Sequence, residues 1–198
     1  NTDLIKVFTG IRRAGKSVML ELVKNELKES GIGEENFLCI NFEQFSNSQF
    51  LDVESLYKKI TDFQKNTKGK IYLFFDEIQE VDGWEKCINS CRVDFDCDIY
   101  ITGSNAKLLS GELATYLAGR YVEFVIYPFS FAEFFEMNLI KNPNADKATC
   151  FMQFLKTGGM PFLSNFPDDD SAKSQELIDI YNSVVLKKKK KKNHILDV

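Results

Sequence analysis

The stretch VFTGIRRAGKSVML, Val7 to Leu20, decides how the rest of the chain is read. Gly10, Gly15, Lys16 and Ser17 satisfy the spacing G-x-x-x-x-G-K-[ST]. A chance match in a chain this long is on the order of one in a hundred. The flanks strengthen the match. Residues 4–9 (LIKVFT) form a β-rich run, and residues 16–30 carry helical spacing on Val18, Met19, Leu22, Val23 and Leu27. A strand that feeds a glycine-bearing loop and then a helix suits a phosphate group. Loop N–H groups wrap the anion, and the helix N-terminus adds a favourable dipole. On this reading Gly10, Ile11, Arg12, Arg13, Ala14, Gly15, Lys16, Ser17 and Val18 line a nucleotide. Lys16 reaches the β- and γ-phosphates, and Ser17 ligates Mg²⁺. Arg12 and Arg13 flank the nucleotide. One of them points towards the γ-phosphate or a neighbouring acid, or both stay solvated.

Such a loop needs a second anchor for the metal. IYLFFDEIQ (71–79) supplies one, because an apolar run delivers Asp76 and Glu77 at the C-terminal end of a buried strand. Asp76 suits a carboxylate that holds Mg²⁺ through water. Glu77 suits a general base that polarises the attacking water. A further strand and helix, residues 37–66, separate the loop from the acidic pair. This suggests a strand inserted between the two nucleotide-binding strands, as in NTPases with a catalytic glutamate. The same feature argues against a small-molecule kinase.

The rest of the chain continues the alternation. Apolar runs at 37–42, 71–75, 98–102 and 121–127 read as strands. Helical spacing at 50–66, 84–92 and partly at 105–118 lies between them. Unbroken apolar strands between helices predict a parallel sheet covered on both faces, an α/β three-layer sandwich. From Ser130 onward the chain reads as helical, with interruptions at Pro143, GGMP (158–161) and PDDD (167–170). The expected organisation is a core over 1–128 and a helical, lid-like region over 129–198.

Composition narrows the class. The chain has 198 residues, 44% of them hydrophobic, which supports one medium domain or one domain plus part of another. No apolar run approaches the ~20 residues a membrane span needs, and no signal segment opens the chain. The expectation is a soluble, cytoplasmic protein with no membrane partner. Five cysteines include no CxxC pair, and His194 is the single histidine, so a zinc site has little to work with. Cys87 and Cys91 could share one helix face, and reduced core thiols are expected.

The net charge is −4. Setting aside the run Lys187 to Lys192 leaves 19 basic against 29 acidic residues, or −10. So acidic a body argues against broad DNA coating. The lysines interrupt an apolar stripe over Leu177, Ile178, Tyr181, Val184 and Val185. They read either as a basic patch or, preferably, as a tract whose recorded identities do not report the native helix. No role is assigned to them.

The chain resembles the AAA+-like bacterial and archaeal P-loop ATPases that carry a C-terminal domain of unknown function. The resemblance rests on FTGIRRAGKSVML, LFFDEIQEVDGWE, IYITGSNAKLLSGELATYLAGRYVEFVIYPFSFAEF and GGMP. It implies a five-stranded parallel sheet in the order 5-1-4-3-2. It also implies a γ-phosphate sensor at Ser104 or Asn105, with Asn105 the better amide. Arg120 reads either as an arginine finger towards a neighbouring subunit or as a structural ion pair. The resemblance further implies continuation into another domain, often nuclease-like. The expected cofactors are ATP and Mg²⁺. The expected partners are further copies of the chain and a DNA or protein client. Three functions follow in order: an ATPase, a nucleotide-dependent switch or scaffold with little turnover, and a P-loop kinase.

Overall fold

The structure is a computed structural model that describes residues 4–103, 117–165 and 173–182. The expected helix within 105–118, the PDDD interruption and the lysine run lie outside the described residues, wholly or nearly so. The chain divides into two compact units. One comprises Asn1–Ile11 and Gly15–Tyr127, the other Arg12–Ala14 and Pro128–Val198.

The first unit is built on five parallel strands: β1 (Ile5–Gly10), β2 (Phe37–Asn41), β3 (Ile71–Asp76), β4 (Cys97–Thr102) and β5 (Tyr121–Ile126). Their order is β2-β3-β4-β1-β5, the expected 5-1-4-3-2 order read from the other edge. Among the described residues three helices connect them: α1 (Lys16–Glu29), α2 (Val53–Asn66) and α3 (Trp84–Asp94).

Side chains alternate across a strand, so each strand serves two cores. Ile5, Val7, Leu38, Ile40, Ile71, Leu73, Phe75, Ile99 and Ile101 pack with Leu56 and Ile60 of α2 and Ile88 of α3. Their neighbours in sequence, Phe8, Phe37, Phe74 and Tyr100, pack on the other face with Leu20, Met19, Val23 and Leu27 of α1. Phe74 and Tyr100 stack there with ring centroids 4.6 Å apart. This two-sided burial explains why β3 reads IYLFF with no polar alternation. On α1 the spacing places Val18 and Leu22 outside, 61% and 54% exposed, and Leu20 takes their expected place in the core.

One boundary moves. The helix expected over 50–66 starts at Val53, because the Asp52 side chain accepts from the Ser55 N–H and caps it there. A 3-10 segment, Phe45–Phe50, precedes it. At the opposite end of the sheet Asp98 accepts from Lys6 at 2.8 Å and pairs with Lys70 at 3.0 Å. These ion pairs pin the starts of β1, β3 and β4 together. Cys87 and Cys91 are both buried on α3.

The second unit contains α4 (Phe131–Lys141) and α5 (Lys147–Thr157). Ser130 and Glu133 form a capping box at the start of α4, and Asp146 caps α5. Two aromatics of YPFSFAEFF, Phe131 and Phe134, pack between these helices: Phe131 lies 5.0 Å from Phe151 and 5.6 Å from Phe154, and Phe134 5.5 Å from Phe154, all edge-on. The glycine pair of GGMP has a steric cause. A Cβ on Gly159 would stand 1.9 Å from the Phe129 carbonyl oxygen. Gly159 can thus accept the Phe129 N–H at 2.7 Å. Residues 173–182 are helical, and Ile180 packs with Met160 and Leu163.

Candidate functional site

The phosphate loop begins where β1 ends. Gly10 has φ 154, and a Cβ there would meet the Ile126 carbonyl oxygen at 2.4 Å. Only glycine lets the chain turn out of β1 so close to β5. The loop ends at Gly15, the left-handed N-cap of α1, which supplies no side-chain cap. The first N–H groups of α1 therefore keep their capacity for an anion. Lys16 follows, only 5% exposed. Its ammonium donates to the carbonyls of Gly10 at 3.5 Å and Ile11 at 3.4 Å, and lies 3.7 Å from Glu77 Oε1. These contacts are longer than the usual N–H···O distance of about 2.9–3.0 Å. The group can still take closer anionic oxygens.

Asp76 ends β3 in phase with Phe74, so its side chain falls on the α1 face of the sheet. The last residues of β2 and β4, Asn41 and Thr102, share that phase, since Phe37 and Tyr100 lie on the same face. The three form a row across adjacent strands. Asn41 Nδ2 donates to Asp76 Oδ2 at 2.9 Å, and the Thr102 hydroxyl donates to Asp76 Oδ1. The directions are fixed by unambiguous donors. Asn41 Oδ1 accepts the Glu43 N–H at 2.9 Å, which turns its NH₂ towards Asp76. Thr102 Oγ1 accepts the Glu77 N–H at 3.0 Å, which leaves its own proton for Asp76. Thr102 is fully buried and Asp76 is 7% exposed.

Glu77 turns away from this row, with the left-handed φ of 54. One carboxylate oxygen faces Lys16, and the other accepts from Gln79 Nε2. The expected residues Gly10, Gly15, Lys16, Asp76 and Glu77 thus lie at the C-terminal ends of β1 and β3 and the start of α1. Ser17 and Val18 are exposed on the first turn of α1. Ser104 and Asn105 lie outside the described residues. Arg120 is exposed before β5 and donates to Asn89 Oδ1 at 3.2 Å.

The loop tip, Arg12 to Ala14, groups with the second unit. Within that unit Arg13, at φ 66, pairs with Glu176 and lies 4.3 Å from the Phe162 ring centroid. Arg12 is exposed. Among the described residues no cluster of three or more His, Cys, Asp or Glu side chains could hold a metal by itself. A cation here would rely on Ser17, Asp76 and oxygens of a bound phosphate.

Sequence reasoning did not single out Asn41, Thr102 or Gln79. The signal for the first two was strand phase, since each ends a strand on the parity of Asp76. Gln79 carried no such signal, because its contact depends on a 3-10 turn, Ile78–Glu80, that short apolar spacing does not announce.

A parallel sheet ordered β2-β3-β4-β1-β5, with a glycine loop leading into α1, agrees with the comparison against known families. The profile described as an AAA domain matches residues 2–135. The chain belongs to the AAA domain family. An uncharacterized protein of Haemophilus influenzae is 44% identical over 186 residues, covering 94% of this AAA domain chain and 46% of that protein. An uncharacterized protein of Methanocaldococcus jannaschii is 35% identical, covering 91% of the chain and 42% of that protein. The chain thus spans less than half the length of these relatives. AMPPCP-bound DnaA from Aquifex aeolicus matches with a TM-score of 0.56 at 17% identity, over 95% of this chain and 58% of that one. Cdc6p from Pyrobaculum aerophilum matches with a TM-score of 0.54 at 15% identity, over 90% and 55%. The structural likenesses show the fold, which is that of an AAA domain. Among the described residues no helix is long and apolar enough to cross a membrane.

Proposed function

We propose that this AAA domain binds ATP with Mg²⁺, hydrolyses it, and uses the cycle to change conformation against a client. The observation that carries the reading is the arrangement at the strand ends. Asn41, Asp76 and Thr102 form one hydrogen-bonded row on the α1 face, with Lys16 and Glu77 beside it. In this reading the loop amides and Lys16 hold the β- and γ-phosphates. Ser17 and Asp76 hold Mg²⁺, which supplies charge neutralisation on the phosphates. Glu77 takes the proton of the attacking water. Ser104 or Asn105, beyond Thr102 and Gly103 in sequence, would orient that water as sensor.

The loop is covalently part of both units, since Gly10 and Gly15 belong to the first and Arg12–Ala14 to the second. In a homo-oligomer, Arg120 would serve a neighbouring copy's nucleotide as an arginine finger. The client is DNA or another protein, engaged by the longer protein that the relatives' lengths suggest.

A switch with little turnover is the second reading. The pairing of Glu77 with Lys16 favours it, because it engages the carboxylate oxygen that would meet the water.

Nucleotide binding and phosphate release by the wild type and Lys16→Ala test the proposal. The wild type should bind ATP and release phosphate in an Mg²⁺-dependent way, and Lys16→Ala should do neither. Wild-type affinity in Lys16→Ala would contradict it. Stoichiometric binding without multiple turnovers would move the reading to the switch.

A further inference from the structure

Gln79 sits in an unusual hydrogen-bonding position. Its Nε2 donates to Glu77 Oε2, the geometry an acceptor-only carboxylate dictates. That choice strands the other end of the amide, since Gln79 Oε1 is buried and accepts no hydrogen bond among the described residues. A buried acceptor without a partner is costly to retain. Flipping the amide would set oxygen against carboxylate, so the cost follows from holding Glu77 in this way.

The hold has a consequence at Glu77. With Oε2 tied to Gln79, the carboxylate presents Oε1 to Lys16 Nζ at 3.7 Å. Lys16 is the group expected to turn to phosphate oxygens, which would release Oε1 and leave Oε2 fixed. The carboxylate would then keep its orientation without the lysine. The left-handed backbone of Glu77, tied through its N–H to Thr102, fixes the other end of the side chain.

We propose that Gln79 is a positioning residue for hydrolysis. It acts through Glu77, by holding one carboxylate oxygen so that the other faces the attacking water. The proposal rests on the assignment of Glu77 as the base. It assigns Gln79 no contact with the nucleotide, so turnover should change while affinity does not.

Steady-state ATP hydrolysis by the full-length protein tests it, with wild type, Gln79→Met, Glu77→Gln and the double variant. Methionine keeps the length of the side chain and removes the donor. Gln79→Met should lower kcat by about ten- to a hundredfold, the scale on which a misplaced catalytic group acts, with KM for ATP within about twofold. Adding it to Glu77→Gln should lower kcat no further, because the residue it positions is already disabled. Gln79→Glu should not rescue turnover at neutral pH, since it restores shape and not the donor. Thermal melts confirm that each variant is folded. A folded Gln79→Met protein at wild-type kcat, beside an inactive Glu77→Gln, overturns this inference alone. So does a multiplicative loss in the double variant. A Glu77→Gln protein with wild-type kcat overturns the base assignment, and this inference with it.

Discussion

The Thr102 hydroxyl and the Asp76 carboxylate share a hydrogen bond at the ends of adjacent strands, and both residues are buried. Because Thr102 also accepts the Glu77 N–H at 3.0 Å, one hydroxyl sets the position of both acidic residues. Thr102→Val keeps the shape and deletes this link. The buried partners left behind should cost about 1–3 kcal/mol of stability, measured by denaturant unfolding. Turnover should fall in Thr102→Val and be largely preserved in Thr102→Ser. Equal turnover in the valine variant would remove Thr102 from the account.

Asn41 holds the other oxygen of Asp76, and its own orientation is set by the Glu43 N–H. Asn41→Ala should loosen Asp76 and raise the Mg²⁺ concentration needed for half-maximal hydrolysis. Nucleotide affinity in EDTA should stay unchanged. Comparing nucleotide titrations with and without Mg²⁺ checks both parts. An unaltered Mg²⁺ requirement would contradict the role given to Asn41.

Asp98 makes stability depend on pH. Burial pushes its carboxyl up, but the hydrogen bonds from Lys6 and Lys70 outweigh that and hold it below its ordinary value. A depressed folded pKa stabilises the protein above the unfolded value, and the contribution is lost as pH falls through the folded one. Asp98→Asn should therefore be less stable than wild type at neutral pH, and the gap should close in acid. Urea midpoints measured from pH 7 down to pH 3 test this. A gap that stays constant or widens would contradict it.

Arg13 and Arg12 should differ. Arg13 is engaged with Glu176 and Phe162, and its side chain is 37% exposed, so solvent screens the ion pair. Glu176→Gln should cost under about 1 kcal/mol and less in high salt. Arg12 is exposed, and on the proposed reading it flanks the nucleotide. Arg12→Ala should weaken ATP binding by about two- to fivefold at low salt, the scale of one screened charge pair. Arg13→Ala should weaken it less. Titrations at two salt concentrations decide between them, and the reverse order would contradict this assignment.

The strands and the phosphate loop were legible because both depend on local patterns, whereas the sheet order was expected only from the family resemblance. GIRRAGKS states its own chemistry, and IYLFF, short and preceded by the turn signal KGK, reads as a strand covered on both faces. Helix starts were less legible: Leu51 fits the apolar spacing of α2, yet the Asp52 cap sets the start at Val53. The partners of the acidic pair were hidden for another reason. Asn41 and Thr102 lie 35 and 26 residues from Asp76, and only the parallel register brings them beside it. One of Arg12 and Arg13 was expected to point to the γ-phosphate or a neighbouring acid, or both to stay solvated, and Arg13 is the one that meets an acid. The acid it meets, Glu176, is 163 residues away, a distance no spacing argument spans.

The central claim is that Glu77 activates water for ATP hydrolysis on the Lys16 loop. The most direct measurement is ATP binding and single-turnover hydrolysis by Glu77→Gln beside the wild type. The account predicts wild-type ATP affinity with cleavage reduced by about a hundredfold or more, the contribution general base catalysis makes. Cleavage at the wild-type rate would contradict it.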